Sequence, residues 1–128
     1  MSYDWSSGEP LPNVQEVEID PQKFVEYSMN PNNPRNQGKW MAFAALGYNV
    51  ESVEGRNIGA EDIIRQLREG LMNTPATQSQ TSIYGQRFQV RVRIRGFNGR
   101  EGTLATSWQI DNDKNFPRLI TNWLEVDK

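Results

Sequence analysis

The residues best suited to chemistry are arginines in one alternating run, residues 84–95. Side chains on a strand point to alternate faces. One face of this run is therefore apolar, and the other carries Arg87, Gln89, Arg91, Arg93 and Arg95. Such a row can present a basic patch to a polyanion. The alternative is a solvated strand face on which the arginines pair with nearby acidic residues.

Lys39 is a second candidate, because it begins a predicted helix directly after a loop rich in asparagine, proline and glycine, residues 30–38. Asn33, Arg35 and free backbone N–H groups at this junction can gather an anion. The alternative interpretation of Lys39 is an ordinary exposed lysine.

Composition restricts the chemistry. The 128 residues contain no histidine and no cysteine, which excludes Ser-His and Cys-His nucleophile pairs, disulfides, and thiolate or histidine zinc sites. No apolar run approaches the roughly 20 residues of a membrane span, and no signal-peptide pattern begins the chain. The net charge of −2 conceals an asymmetry, since residues 1–20 hold five acids and no base, whereas residues 81–110 hold five arginines. We expect no membrane association, no metal and no cofactor.

Phosphodiester cleavage is a reaction that this residue set permits. Arginine and lysine can stabilise the negative charge that develops on phosphorus, while a hydroxyl, a carboxylate or a lysine manages the 2′-hydroxyl proton. Trp108 or Tyr84 can stack an unpaired base. The sheet would supply the other candidates, which are Arg87, Arg91, Arg93, Thr106, Arg118 and Thr121.

The elements that would position these residues follow from periodicity and turn signals. Asn98-Gly99 is a strong hairpin signal and joins the arginine strand to a second strand, with a last strand to follow. Apolar spacing and capping residues predict helices earlier in the chain. The predicted strands are residues 14–19, 84–95, 103–110 and 119–126, and the predicted helices are residues 21–29, 39–46 and 60–71. Residues 49–59, which contain two glycines, are predicted to be a turn-rich connection, and residues 73–82 a mobile connection.

Helices followed by an antiparallel meander predict an α+β fold, with the helices packed on one face of the sheet. Residues 1–13 are predicted to be an irregular leader, and residues 14–128 a single domain.

Alternation along the second hairpin strand places Thr106 and Trp108 on the core side of the sheet. A bulge at Gly102 or near Ser107 would reverse that assignment. The pattern leaves both possibilities open.

Residues 27–39, Tyr-Ser-Met-Asn-Pro-Asn-Asn-Pro-Arg-Asn-Gln-Gly-Lys, resemble the opening motif of a family of small uncharacterised bacterial domains. That motif contains Asn-Pro-x-His-Pro, a glycine-containing spacer, a lysine and a helix ending in Leu-Gly. The segments around Tyr84-Gly85, Trp108 and Pro117-Arg118 are similar to the later motifs of the family, in the same order. The resemblance covers about residues 14–126, with Asn33 in place of the histidine.

The layout of this family resembles the barnase/EndoU/colicin/RelE class of ribonuclease toxins. RelE-like toxins are similar to this chain in relying on lysine and arginine rather than a histidine pair, so the replacement at Asn33 does not exclude activity. By this resemblance an active site would contain or adjoin Lys39, Arg87, Thr106, Trp108, Arg118 and Thr121.

Together these observations predict a metal-independent bacterial ribonuclease toxin, used in a toxin–antitoxin system or in competition between bacteria. Lys39 would act as acid, base or charge stabiliser, and Arg87 and Arg118 would bind phosphate. Trp108 would stack or support a base, and Thr106 and Thr121 would position groups.

The expected partners are RNA, either tRNA or mRNA, and a cognate antitoxin or immunity protein. The expected site of action is the cytoplasm, and delivery from another cell is an open alternative. One competing interpretation is a non-catalytic interaction module, similar to an antitoxin or immunity protein, whose arginines contact an acidic partner. The other is a nucleic-acid binder without catalytic activity, whose sign would be salt-dependent binding without cleavage.

Overall fold

The computed structural model describes residues 3–128. Its sheet is antiparallel and four-stranded, and neighbouring strands follow chain order. The strands are β1 (Thr77–Gln78), β2 (Gly85–Arg95), β3 (Glu101–Asp111) and β4 (Arg118–Val126). β2 and β3 form the predicted hairpin. Its turn holds Gly99 at a φ of 84°, a conformation that favours glycine.

Helical segments precede the sheet in the chain. They are a 3₁₀ turn (Val14–Glu16), a π-helix (Lys23–Ser28), α1 (Trp40–Ala45) and α2 (Val53–Leu71). The predicted α+β class, with helices first and a meander last, is confirmed. No helix within residues 3–128 is long and apolar enough to cross a membrane.

The core lies between the helices and one face of the sheet. The apolar residues of β2 are at most 2% exposed, as alternation predicted, whereas Arg91, Arg93 and Arg95 on its other face are exposed. Apolar residues of the helices complete the same cluster, among them Phe24, Phe43, Ile63, Leu67 and Leu71. Burial of this one face is the main favourable term for folding.

The first described residues have no regular secondary structure but contact the core. Leu11 is buried, and the ring of Trp5 lies 5.2 Å from the ring of Phe88 in an edge-on arrangement. The backbone carbonyl of Glu9 accepts a hydrogen bond of 2.8 Å from the N–H of Ala76. These contacts connect the start of the chain to the segment before β1.

α2 begins at Val53, several residues before the predicted start at residue 60. The Ser52 hydroxyl caps it by accepting a 3.0 Å hydrogen bond from the Gly55 N–H. The prediction was wrong because glycine inside a helix usually indicates a turn. Here the glycine serves close packing, since a Cβ at Gly55 would lie 2.5 Å from the Asn49 carbonyl oxygen.

Residues 14–19 do not form the predicted strand. They contain the 3₁₀ turn, and Glu18 alone forms a bridge, to Arg118. Val17 and Ile19 are buried while Glu18 is exposed. The alternating pattern therefore reflects burial of this segment and not a ladder of hydrogen bonds.

Residues 73–82 contribute β1 to the sheet, so the prediction of a mobile connection is wrong for this part. Thr77 pairs with Gln89, and Gln78 pairs with Phe88. Backbone hydrogen bonds to the edge of β2 require no apolar side chains, which is why a polar segment forms the strand.

The cap of α2 leads to a test of stability. Ser52→Ala should lower the free energy of unfolding by about 1 kcal/mol, because the Gly55 N–H loses its acceptor. Urea denaturation followed by circular dichroism measures the change, and Ser52→Asp, which keeps an acceptor, should unfold close to wild type. Equal midpoints for wild type and Ser52→Ala would mean that the cap does not stabilise the helix.

Candidate functional site

Two open clefts adjoin where the π-helix meets β4. Their volumes are about 490 and 580 Å³, and Lys23 and Ile120 line both. The first is also lined by Asp20, Gln22, Tyr27, Asn33, Arg35 and Thr121. The second is also lined by Tyr84, Arg87, Gln109, Asp111, Asn112, Asp113 and Arg118. We call the two clefts together the cationic groove, because four of the lining residues are Lys23, Arg35, Arg87 and Arg118.

A bulge in β4 brings two of these residues to one face. Thr121 pairs with Ser107, and Arg118 pairs with Gln109, while Ile120 between them has no partner in β3. Residues three apart on a regular strand lie on opposite faces. The extra residue therefore places Arg118 and Thr121 on the same outer face of the sheet.

Lys23 and Tyr27 reach the groove from the π-helix, Lys23–Ser28. The Met29 N–H donates to the Phe24 carbonyl, five residues earlier, at 2.9 Å, which is the spacing of π-helical turns. Short π-helical segments are frequent at functional sites. The sequence predicted a helix here. It did not predict that the helix is π-helical or that Lys23 and Tyr27 line the groove.

A hydrogen-bonded chain holds the guanidinium groups of the second cleft. Arg87 Nε donates to Gln109 Oε1 at 2.7 Å, and Gln109 Nε2 donates to Asp111 Oδ1 at 2.6 Å. Arg118 Nε donates to Asp111 Oδ2 at 2.7 Å. This last bond is the main cause that keeps the pKa of Asp111 below its ordinary value, and it raises the pKa of Arg118. Gln109 is 2% exposed. Its buried amide holds Arg87 directly and also holds Asp111, which in turn holds Arg118.

Lys39 lies behind Tyr27. Its Nζ is 3.3 Å from the Tyr27 hydroxyl and 4.7 Å from the centroid of the Tyr27 ring. It also donates to the backbone carbonyl of Asn122 at 3.5 Å. Tyr27, and not Lys39, is therefore the group that lines the groove.

The loop of residues 30–38, which we call the Asn-Pro loop, is anchored to the π-helix by asparagine side chains. Asn36, which is 1% exposed, donates to the Tyr27 carbonyl at 2.6 Å. Asn33 donates to the Glu26 carbonyl at 2.7 Å, and its Oδ1 accepts from the Arg35 N–H at 2.9 Å. These bonds fix the loop so that Asn33 and Arg35 line the first cleft.

The structure thus brings together six of the residues proposed from the sequence, with Lys39 directly behind them. The other four, Thr106, Trp108, Arg91 and Arg93, lie outside the groove. The six that line it are Asn33, Arg35, Tyr84, Arg87, Arg118 and Thr121.

A profile of the domain of unknown function DUF6883 matches residues 10–125. The chain belongs to the DUF6883 family. The predicted membership of an uncharacterised domain family is thereby confirmed. No curated protein matches the chain.

A solved structure has a fold similar to that of this DUF6883 domain. It is a chain of the contact-dependent growth inhibition toxin–immunity protein complex from Klebsiella pneumoniae 342. The TM-score is 0.58 with 16% sequence identity, over 88% of this chain and 96% of that chain. At this identity the similarity concerns the fold.

Trp108 and Thr106 belong to the core of the DUF6883 domain, as simple alternation predicted. Trp108 is fully buried, and its Nε1 donates to Thr106 Oγ1 at 2.8 Å. Thr106 Oγ1 in turn donates to the Val90 carbonyl at 2.7 Å. The proposed stacking of a base on Trp108 is wrong, because no part of the ring is accessible. The bulge lies in β4, and so it does not turn these side chains outward.

Arg91 and Arg93 lie on the outer face but are paired with acids. Arg91 lies 2.6 Å from Glu125, and Arg93 pairs with Asp127 and, at 3.8 Å, with Glu101. All five side chains are about half exposed, and such surface pairs contribute little to stability. The alternative of a solvated, ion-paired strand face is therefore what the structure has at this end of β2.

Sequence reasoning missed Asp20, Lys23, Tyr27 and Gln109. Tyr27 opens the Asn-Pro motif, and this was the available signal for it. Gln109 follows Trp108 on a strand predicted to be core on one side only, so nothing in the pattern indicated its burial. Within residues 3–128 no three histidine, cysteine, aspartate or glutamate residues form a group that could hold a metal ion.

The Asp111–Arg118 pair predicts a pH dependence. Because the pKa of Asp111 is lowered on folding from about 3.9, the pair's contribution to stability is complete above that pH and is lost as the pH falls through the lower folded value. Arg118→Gln should raise the pKa of Asp111 and weaken the dependence of unfolding free energy on pH below about pH 4.

Carboxyl NMR titration of Asp111 measures this pKa directly. The matched control is Arg65→Gln, which removes the pairing of Arg65 with Asp62 on α2 and should leave the Asp111 titration unchanged. An unaltered Asp111 pKa in Arg118→Gln would contradict the assignment.

Proposed function

We propose that this chain is a metal-independent ribonuclease toxin domain that binds and cleaves RNA in the cationic groove. The observation that carries the proposal is the convergence of four cationic side chains and three hydroxyl groups, those of Tyr27, Tyr84 and Thr121, on one groove. Fold similarity to a chain of a growth inhibition toxin–immunity protein complex supports a role in such a toxin–immunity pair and does not distinguish the toxin from its partner.

Four cationic and three carboxylate side chains line the groove, and the cations that form no ion pair with these carboxylates suit phosphate. Arg118 forms an ion pair with Asp111. Within residues 3–128 the other three cations of the groove, Lys23, Arg35 and Arg87, form no ion pair. Arg87 is held instead by the neutral amide of Gln109, which leaves its charge available. Bidentate guanidinium groups recognise phosphate oxygens with defined geometry.

The exposed ring of Tyr84 supports an RNA substrate with unpaired bases. Tyr84 lines the second cleft and is 67% exposed. Aromatic side chains beside a cationic groove are the usual platform for bases of single strands. We assign Tyr84 this role in place of Trp108.

Cleavage proceeds by attack of the 2′-hydroxyl oxygen on phosphorus. The new 2′-O–P bond forms and the P–O5′ bond breaks, which gives a 2′,3′-cyclic phosphate. Asp20 and Tyr27 both line the first cleft. In the proposed reaction Asp20 takes the proton of the 2′-hydroxyl, and Tyr27 donates a proton to the leaving O5′. Lys39, hydrogen-bonded to the Tyr27 oxygen, stabilises the phenolate that results. Arg87 and Arg118 bind the non-bridging oxygens, where negative charge develops.

A ribonuclease toxin requires a neutralising partner in the cell that produces it. We propose an acidic immunity protein or antitoxin that covers the cationic groove. The RNA is reached in the cytoplasm of the producing or of a neighbouring cell.

A non-catalytic interaction module, similar to an immunity protein or antitoxin, is the second candidate. The ion-paired end of the outer face favours it, because interspersed charges of both signs are suited to specific protein contacts. The two candidates differ in whether the chain harms a cell that makes it.

Growth under tight induction distinguishes them. The wild-type chain should arrest bacterial growth and produce new RNA fragments. Tyr27→Phe should lower cleavage by about 10²–10⁴-fold, the usual contribution of an acid–base group, and Lys39→Ala should lower it because the phenolate loses its stabilising charge. Gel analysis of total RNA and cleavage rates of the purified chains measure this. Normal growth with intact RNA in the wild type would favour the interaction module.

The groove and the ion-paired face can be separated by binding. Arg87→Gln should weaken binding of single-stranded RNA and reduce the salt slope of log affinity by about 0.7, the value for one phosphate contact. Arg93→Gln removes the same charge from the paired end of β2 and should bind like wild type. Fluorescence anisotropy over a series of salt concentrations measures both. Equal losses of RNA affinity in the two variants would mean that the RNA responds to total charge and does not bind specifically in the groove.

A further inference from the structure

We propose that Trp123 forms a second stacking site, for an unpaired base next to the phosphates in the cationic groove. This inference rests on the proposed function, and its ligand is a nucleobase of single-stranded RNA. Trp123 is 43% exposed on the outer face of β4. Of the tryptophans, Trp108 is buried, and Trp5 and Trp40 are partly buried.

Trp123 continues the face that carries the groove. Thr121, which lines the first cleft, pairs with Ser107, and Trp123 pairs with Ala105. The two β4 residues point to the same face and are separated by about 7 Å along the strand. A strand of RNA with its phosphate at Thr121 can therefore place an adjacent base over Trp123.

The exposed part of the indole is where a base can stack, since Trp123 is 43% exposed. The cavity beside the ring, of about 60 Å³, is too small for a base, and the short side chains of Ala105 and Ser107 form part of its wall. Gln89 is also on this wall and is exposed, and within residues 3–128 its side chain makes no hydrogen bond. An amide offers both a donor and an acceptor, as the edge of a base requires.

The indole is held in place before any ligand binds. Trp123 Nε1 donates to Glu125 Oε1 at 3.1 Å, and Arg91 donates to Glu125 Oε2 at 2.6 Å. A ring fixed in this way loses little conformational entropy on binding. The Arg91–Glu125 ion pair has no net charge. It therefore suits a base, which carries no charge and stacks through its π face.

The test uses a single-stranded oligoribonucleotide of about ten nucleotides, with 2′-O-methyl groups to prevent cleavage and one 2-aminopurine. Its fluorescence should be quenched when the base stacks on Trp123. Threonine is a good strand former, so Trp123→Thr should preserve β4. This variant should reduce the quenching and weaken RNA binding about tenfold. The salt slope should stay as in wild type, because no phosphate contact is lost. Trp123→Phe should retain most of both signals.

The remaining outcomes separate this inference from the proposed function. Unchanged affinity and quenching in Trp123→Thr, with binding still sensitive to Arg87→Gln, would overturn the stacking site and leave the groove. Absence of RNA binding by the wild-type chain would overturn both. Cooperative thermal unfolding of each variant ensures that the comparison concerns folded protein.

Discussion

The pairing of β3 with β4 across one extra residue is the constraint on which the groove depends. If β4 were regular and Ile120 were paired, Arg118 and Thr121 would lie three positions apart and face opposite sides of the sheet. The same shift keeps Leu119 and Asn122 in the core, opposite Trp108 and Thr106. A single unpaired residue therefore allows β4 to fill the core along its length and to contribute two polar groups to one site.

Charge pairing divides the outer face into two regions. Towards the β2–β3 turn, Arg91 and Arg93 have carboxylate partners, so the field at a distance is small. Towards the other end, Arg87 is held by Gln109, a neutral acceptor, and Lys23 adds a charge from the π-helix. Attraction of a polyanion is governed by unpaired charge and its confinement in a cleft. The number of arginines on the strand is therefore a poor guide to where an anion binds.

Local signals in the sequence were sufficient for part of this fold. The alternation of β2 and the Asn98-Gly99 turn predicted the hairpin and its core face, because both depend on neighbours in the chain. The ion pair of Arg91 with Glu125 and the bulge at Ile120 depend on register between distant segments, which periodicity does not contain. Gly55 was misleading for a related reason, since it is required by contact with another part of the chain and not by a turn.

Asn122 connects the parts of the groove from beneath. Its Nδ2 donates to the Lys23 carbonyl at 3.3 Å, and its own carbonyl accepts from Lys39. Among residues 3–128, its Oδ1 is the one buried side-chain oxygen or nitrogen without a hydrogen-bond partner, and an unpaired buried group costs about 1–3 kcal/mol. Leucine at this place would remove that cost, but it would also remove the amide that ties β4 to the start of the π-helix. The stability of the core and the positions of Lys23 and Tyr27 thus impose opposite demands on one side chain.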